Sequence, residues 1–408
     1  MKEKTTNISR RSFIKSAGVA GLGSALAPLV GRGTARSATP AHAAETAGVP
    51  TRPFGRSGIQ VPILSLGGMF DIPSNQTLLK QAIRWGVTYW DTAHVYSGGR
   101  SEAGIGQYFK SYPEHREKIF LVTKSTSRTG RGMSEDLATS LEKMNTDHID
   151  LFFVHAIRDA SIMDSSMREW ARQQKAEGKI RLFGFSTHSN MEQCLLDAAR
   201  LEWIDGIMMT YNFRLMHEEK MKEAVKACVD AGIGLTAMKT QGGGAVDTAT
   251  ARELELAGRF VQKGFTDKQA KLKAVWENPQ ISALCSQMPT MAILMANIAA
   301  AVDRTTLTDN DRQHLDRYAR ETFSHYCAGC TQICQNAIAA NVPVGDVMRY
   351  LMYARSYADT NDARRRFAAI PHAVRRQMRQ SDYSAAEARC PRQLPIARLI
   401  GEALEDLA

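Results

Sequence analysis

Trp90-Asp91-Thr92-Ala93-His94-Val95-Tyr96, Ile119-Phe120-Leu121-Val122-Thr123-Lys124 and Ile149-Asp150-Leu151-Phe152-Phe153-Val154-His155 are the three stretches that decide how this chain folds. Each is a short apolar run closing on polar residues, as a buried strand does where it reaches a wet surface. In a barrel of parallel strands, successive strand ends converge on one face, where active sites are built. The spacing therefore predicts that Asp91, Tyr96, Lys124 and His155, though distant in sequence, share one site.

Around these stretches strand and helix signals alternate. Residues 51–60 read as a loop, followed by a strand over Val61–Leu66 that ends in Gly67-Gly68. A helix over Gln76–Trp85 leads to a strand at Val87–Trp90, and a helix near 101–109 to a strand at Ile119–Thr123. Ser134 reads as the cap of a helix running to Met144, with Glu135 and Asp136 suiting the dipole of its first turn. Further strands are expected at Ile149–Val154, Ile180–Phe185, Ile207–Thr210, Ile233–Ala237 and Ile281–Cys285. The helices between and after them span Ser161–Glu177, a segment from Met191, Glu218–Ala231, Asp267–Trp276 and Thr290–Ala301. Eight strand–helix units in this order predict an α/β fold, a (β/α)8 TIM barrel over residues 52–303. From Thr308 helices dominate: Leu315, Tyr318, Ala319, Phe323 and Tyr326 recur at helical spacing, and a second apolar helix covers Val344–Met352. Residues 305–408 thus read as a helical appendage, and it holds four of the seven cysteines.

The net charge of +10 does not indicate a nucleic-acid groove. Residues 1–43 carry seven Lys or Arg and one Glu, so most of the excess lies in that segment. The run Arg364-Arg365-Arg366, with Arg375, Arg376 and Arg379, reads as a solvated helix face. Ser9-Arg10-Arg11-Ser12-Phe13-Ile14-Lys15 is a twin-arginine export motif. Ser16–Gly31 follows as a mildly apolar stretch, too short and too mild to span a bilayer, and Ala41-His42-Ala43 offers a cleavage site. The expectation is a signal peptide over 1–43, a mature chain from Ala44, and export by the Tat machinery to the periplasm. No stable membrane span is expected after cleavage.

The chemistry of the four polar residues is coherent. A carbonyl that accepts hydride develops negative charge on oxygen and needs a proton donor. A free Tyr, with a pKa of about 10, is a poor donor near neutrality, and a neighbouring Lys ammonium lowers that value. Tyr96 as acid/base, Lys124 as its tuner, Asp91 as the anchor of Lys124 and His155 as orienter of the substrate oxygen make a complete assignment.

These residues resemble the aldo-keto reductase family over about 52–303, through Asp91-Thr92-Ala93 with Tyr96, Thr123-Lys124, and Asp150-Leu151 leading to His155. Gly184-Phe185-Ser186 is similar to the family's segment under the nicotinamide, and Tyr211-Asn212 to its next strand end. The resemblance implies NAD(P)H as cofactor and a small carbonyl or alcohol substrate. The cofactor contacts it implies are Gly67, Ser186, Tyr211, Asn212, Lys239 and Asn297. Several positions depart from the pattern. Met208 stands where a Gln is usual, Thr187 where Asn is common, and Cys285-Ser286-Gln287-Met288-Pro289 lacks the basic residue that holds a 2′-phosphate. NADP preference therefore does not follow. Gly242-Gly243-Gly244 reads either as a close approach to a pyrophosphate or as a flexible loop. His94 reads as a neighbour packed beside the four, and His188 as a loop residue near the cofactor.

Cys327-x2-Cys330-x3-Cys334 with the distant Cys390-Pro391 resembles ferredoxin-type [4Fe-4S] ligation, although the x3 gap departs from the usual x2. Two disulfides or a four-cysteine zinc site are alternative readings. Cys194, Cys228 and Cys285 fall in barrel elements and read as buried apolar residues. The resulting expectation is an exported oxidoreductase of aldo-keto reductase type, with a possible redox partner protein. An iron–sulfur electron-transfer or binding protein on a barrel scaffold, without nicotinamide turnover, is the alternative. The loops at a barrel mouth carry no readable code for the substrate.

Overall fold

The computed structural model describes residues 48–246 and 266–408. The expected signal peptide, its paired arginines and its cleavage site lie outside the described residues. A short hairpin opens the described chain, β1 (Thr51–Pro53) antiparallel to β2 (Gln60–Pro62), where the sequence reads as a loop. Its turn carries Phe54, fully buried against Phe120 and Leu151 in the barrel core. Gly206 and Gly234 make room for this ring: a Cβ at either would stand 2.8 or 2.5 Å from its atoms. The hairpin thus plugs the floor of the barrel.

Eight parallel strands close that barrel: β3 (Leu64–Gly67), β4 (Tyr89–Asp91), β5 (Phe120–Ser125), β6 (Ile149–Ile157), β7 (Ile180–Thr187), β8 (Gly206–Thr210), β9 (Gly234–Met238) and β10 (Ala283–Gln287), with β10 pairing back onto β3. The expected (β/α)8 architecture is present. Every second residue fills the interior, and Tyr89, Val122, Leu151, Phe153, Leu182 and Met208 form a layered apolar core under the mouth.

The outer helices are α1 (Gln76–Arg84), α2 (Arg100–Ser111), α3 (Gly130–Met144), α4 (Ser165–Ala176), α5 (Met191–Ala199), α6 (Glu219–Asp230), α7 (Asp267–Trp276) and α8 (Met291–Val302). Ser134 is not a cap. Helix α3 starts four residues earlier, where the Thr129 hydroxyl accepts from the Gly132 amide, and the Ser134 hydroxyl donates back to the Gly130 carbonyl. The last strand is displaced two residues beyond Ile281–Cys285, so Ser286 and Gln287 lie on it.

Beyond the barrel come α9 (Asp309–Glu321), α10 (Thr331–Gln335), α11 (Val344–Ser356), α12 (Thr360–Ala368), α13 (His372–Gln380), α14 (Ser384–Arg389) and α15 (Ile396–Asp406). Helix α9 begins with a capping box between Thr308 and Asp311. It ends before Phe323 and Tyr326, which lie in and after a 3-10 turn rather than on the expected helix. Val347, Leu351, Phe367, Met378, Leu399 and Ala403 give the terminal helices a core of their own.

This region is fastened over the barrel mouth. The Asn212 amide donates to the Lys239 carbonyl and the Tyr326 hydroxyl at 3.1 and 3.0 Å. Arg214 donates to the Gly242 carbonyl and the Thr322 hydroxyl, and its guanidinium lies 5.3 Å from the Tyr326 ring. At Gly244 a Cβ would come 2.1 Å from the His325 carbonyl, so the glycine run serves close packing of the cap. Tyr326→Phe keeps this packing and leaves one buried Asn212 N–H without an acceptor. It is expected to lower the unfolding free energy by about 1–3 kcal/mol, read from the urea midpoint.

Candidate active site

The four expected residues meet at the mouth. Lys124, on β5, is 1% exposed and Asp91, ending β4, is 3% exposed. The Lys124 ammonium donates to both Asp91 carboxylate oxygens, at 2.6 and 2.7 Å, and to the Thr92 carbonyl at 2.7 Å. Those three acceptors match its three donors. Its Nζ stands 4.9 Å from the centre of the Tyr96 ring. His155 meets the same ring edge-on, with centroids 5.7 Å apart.

His155 is aimed by a bulge. The β6–β7 register shifts between Val154 and Ile157, and Ala156 takes a left-handed conformation with φ 53°. The Ser186 hydroxyl accepts from the Ala156 amide at 2.9 Å, so Ser186 braces the turn that presents His155. Among the described residues, the buried His155 Nδ1 has no partner.

The electrostatics differ from the sequence expectation in one respect. Burial opposes the charge on Lys124, but Asp91 and the Tyr96 oxygen outweigh it and hold its pKa above the ordinary lysine value. Tyr96 does not end up lowered. Burial raises it more than Lys124 lowers it, with Asp91 and Cys285 adding to the rise, and it is pushed up to about 12. Tyr96 therefore stays a neutral phenol, a proton donor, through the neutral range. His155 is held well below its ordinary value by burial and by Lys124, Arg366 and Arg349, so it is a neutral imidazole.

The six expected cofactor contacts do not gather into one set. Gly67 and Ser186 belong to the barrel mouth: Gly67 pairs with Asp91 and Gln287, and a Cβ there would stand 3.0 Å from the Cys285 sulfur. Tyr211 is turned away, its hydroxyl accepting from the Asn278 side chain at 2.9 Å. Asn212 is held by Tyr326, and the Asn297 amide donates to the Ser286 hydroxyl at 3.0 Å. Lys239 donates to the Tyr353 hydroxyl at 3.2 Å, with its Nζ 4.4 Å from that ring's centre. His94 packs as expected, Nδ1 2.9 Å from the Lys124 carbonyl. His188, within 3.3 Å of the Thr210 hydroxyl, lines a cavity with Lys239, Gly243, Cys327 and Arg349.

All seven cysteines are free, so the disulfide alternative is not borne out. Cys327, Cys330, Cys334 and Cys390 line one cavity with Val344, Met348, Leu394 and Ile396. Among the described residues no three His, Cys, Asp or Glu side chains converge closely enough to hold a metal ion. Cys194 and Cys228 are buried in helices as expected. Cys285 instead faces the site, its thiol 3.8 Å from Asp91. Sequence reasoning could have found it, since it closes the expected strand Ile281–Cys285 as Lys124 closes its own apolar run.

The cap residues at the mouth are the larger omission. Arg349 and Tyr353 on α11 and Arg366 on α12 gather with Lys239. Burial raises the Tyr353 phenol, but Lys239, Arg349 and Arg366 outweigh it and hold its pKa below the ordinary value. In the expected solvated arginine face, Arg364 and Arg365 are exposed, whereas Arg366 turns under toward the Tyr353 ring, 5.6 Å away. The missed signal was the three-residue offset that puts Tyr350 and Tyr353 beside one another on α11, beneath that run.

His155 and His188 both have depressed pKa values. In the unfolded chain they take up protons near pH 6.5, while the folded chain resists until a lower pH. Stability is therefore expected to fall as pH drops through about 6.5, by about 1.4 kcal/mol per pKa unit of depression, until the folded groups also titrate. Urea unfolding of the wild type and of His155→Asn at pH 7.5 and 5.5 checks this: the variant should lose less.

Comparison with known proteins agrees with this geometry. Residues 64–303 match the Aldo/keto reductase family. The chain is 26% identical over 275 residues to the uncharacterised oxidoreductase YrpG of Bacillus subtilis, covering 56% of this chain and 84% of that protein. It is 28% identical over 217 residues to the aldo-keto reductase yakc [NADP(+)] of Schizosaccharomyces pombe, covering 48% of this chain and 62% of that one. An aldo-keto reductase structure from Bacillus halodurans, in its holo form, superposes with a TM-score of 0.55 at 21% identity, over 66% of this chain and 96% of that one. With its barrel closed and its Asp, Tyr, Lys and His assembled at one mouth, the chain belongs to the aldo/keto reductase family of oxidoreductases.

Proposed function

We propose that this chain is an exported oxidoreductase that interconverts a carbonyl compound and its alcohol, with Tyr96 as acid/base. The observation that carries the reading is the buried Asp91–Lys124 pair set 4.9 Å from the Tyr96 ring. As hydride adds to the carbonyl carbon and forms its C–H bond, the C=O π pair moves to oxygen, which gains negative charge and takes the Tyr96 proton. The phenolate left behind faces the Lys124 ammonium, which Asp91 keeps charged. His155, neutral, orients the oxygen from the other side. Near neutrality Tyr96 is a protonated phenol, the form that donates a proton in the reduction direction.

Aldo-keto reductases use NAD(P)H, which supplies the hydride when bound. In this chain Gly67 and Ser186 lie at the mouth, the Ser186 hydroxyl accepting from the Ala156 amide. Tyr211, Asn212, Lys239 and Asn297 are engaged by protein partners, so the grip differs from that implied by the resemblance. We further infer that Cys327, Cys330, Cys334 and Cys390 hold a [4Fe-4S] cluster, which supplies one-electron redox chemistry when bound. The support is the donor chemistry, four unpaired thiols lining a single cavity with largely apolar walls; as placed they do not converge closely enough to ligate, so they would have to draw together to hold the cluster. The twin-arginine motif supports export by the Tat machinery to the periplasm, and a redox partner protein would be met there.

The second reading, an iron–sulfur electron-transfer or binding protein on a barrel scaffold, is favoured by the same engaged residues and by Met208, which is buried in the barrel core. Two measurements on protein purified without oxygen decide between them. Tyr96→Phe is expected to lower kcat for aldehyde reduction by about 10²–10⁴ while the variant stays folded; unchanged turnover sinks the oxidoreductase reading. About four irons per chain with a dithionite-bleached visible band, lost in Cys334→Ser, is the expected sign of the cluster. Iron-free, colourless wild-type protein removes it.

A further inference from the structure

A cavity of about 240 Å³ opens beside Tyr96. Met69, Tyr96 and Ser97 form its barrel side; Asp359, Asn361, Asp362, Arg365 and Arg366 form its cap side. Its own lining balances, two Asp against two Arg, and the excess of cations lies behind it. Asp346 is shared by Arg158 and Arg349, and Asp362 by Arg365 and Arg366. Asp359 spends an oxygen on the Asp362 amide, capping α12. Lys239 has, among the described residues, the Tyr353 hydroxyl as its hydrogen-bond partner and no carboxylate. Arg366 uses its Nε on Asp362, and its two terminal nitrogens make no hydrogen bond among the described residues. Arg349 likewise uses one terminal nitrogen, on Asp346. The charges of both arginines reach His155.

A guanidinium with both terminal nitrogens free, set in the wall of a cavity that a proton donor also lines, matches the planar oxygens of a carboxylate or phosphate. We propose that the cap makes this enzyme specific for anionic substrates: a carbonyl or alcohol compound bearing a carboxylate or phosphate, which Arg366 grips, with Arg349 behind it, while the reacting oxygen faces Tyr96 and His155. The identity of the reacting oxygen rests on the oxidoreductase reading above; the anion grip does not.

The test is equilibrium binding, so it needs no turnover. Calorimetric titrations would compare ω-hydroxy carboxylates, ω-hydroxyalkyl phosphates and neutral diols of matched length, from three carbons to six, on the full chain. The expected result is a carboxylate or phosphate that binds at least about tenfold tighter than its matched diol, a gain that shrinks from 0.1 to 1 M salt as screening sets in. Arg366→Gln should bring the anion's affinity down to that of the diol, and Arg366→Lys should keep part of the gain. The better-bound series tells carboxylate from phosphate. Equal affinity for charged and neutral partners at every length overturns the proposal. So does an anion preference that survives in folded Arg366→Gln and Arg349→Gln alike. Because the wild-type comparison stands alone, a variant that fails to fold does not rescue the idea. If Tyr96→Phe leaves turnover unchanged but the anion preference holds, the oxidoreductase reading fails and the anion site stands.

Discussion

The site depends on one buried ion pair. Two charges taken out of water at the barrel mouth are tolerated because Lys124 has an acceptor for each of its donors. Removing either partner would leave an uncompensated buried charge, at a cost of about 3–5 kcal/mol. The pair ties β4 to β5 at the level where Tyr96 leaves the barrel, so its geometry sets where the phenol stands. The plug at the opposite end is its counterpart. Phe54 and the Tyr89–Phe120 contact fill the floor and leave the mouth as the accessible end of the interior.

The cap changes what that mouth can be. In a bare barrel the ends of β8 and β9 would face solvent or ligand. Here Asn212, Arg214, Lys239 and the glycine run after β9 are spent on Tyr326, Thr322, Tyr353 and the His325 carbonyl. The same contacts that hold the cap down bring Arg349 and Arg366 within electrostatic reach of His155. Attachment and electrostatics are therefore coupled: a substitution that loosens the cap also alters the field at His155.

The barrel was legible in the sequence because parallel strands are short apolar runs with polar ends, and each run stands alone between helices. Asp91, Lys124 and His155 could be placed together for that reason, and Tyr96 through its five-residue offset from Asp91. The helix starting at Gly130 was misread because Ser134 looks like a cap, and a mid-helix serine bonding back to the Gly130 carbonyl leaves no sequence trace. The cap could be read as helices but not as a lid. Which of its faces meets the barrel depends on contacts more than a hundred residues apart, such as Asn212 with Tyr326. The raised Tyr96 pKa was illegible for a similar reason, since proximity to Lys124 was foreseeable and the depth of burial was not.

The cysteine cavity and the mouth are not separate features. Cys327, Ala328 and Met348 line both the cavity that holds the four thiols and the one that holds His188, Lys239 and Arg349. The loop between Cys327 and Cys330 is pressed onto the barrel: a Cβ at Gly329 would stand 2.3 Å from the His188 carbonyl, and the Asn190 amide donates to the Gly329 carbonyl at 2.9 Å. A group bound by the thiols would brace this loop, and through Met348 and Arg349 on α11 it would brace the wall that faces His155. The thiol cavity and the wall of the catalytic mouth thus meet through one short turn.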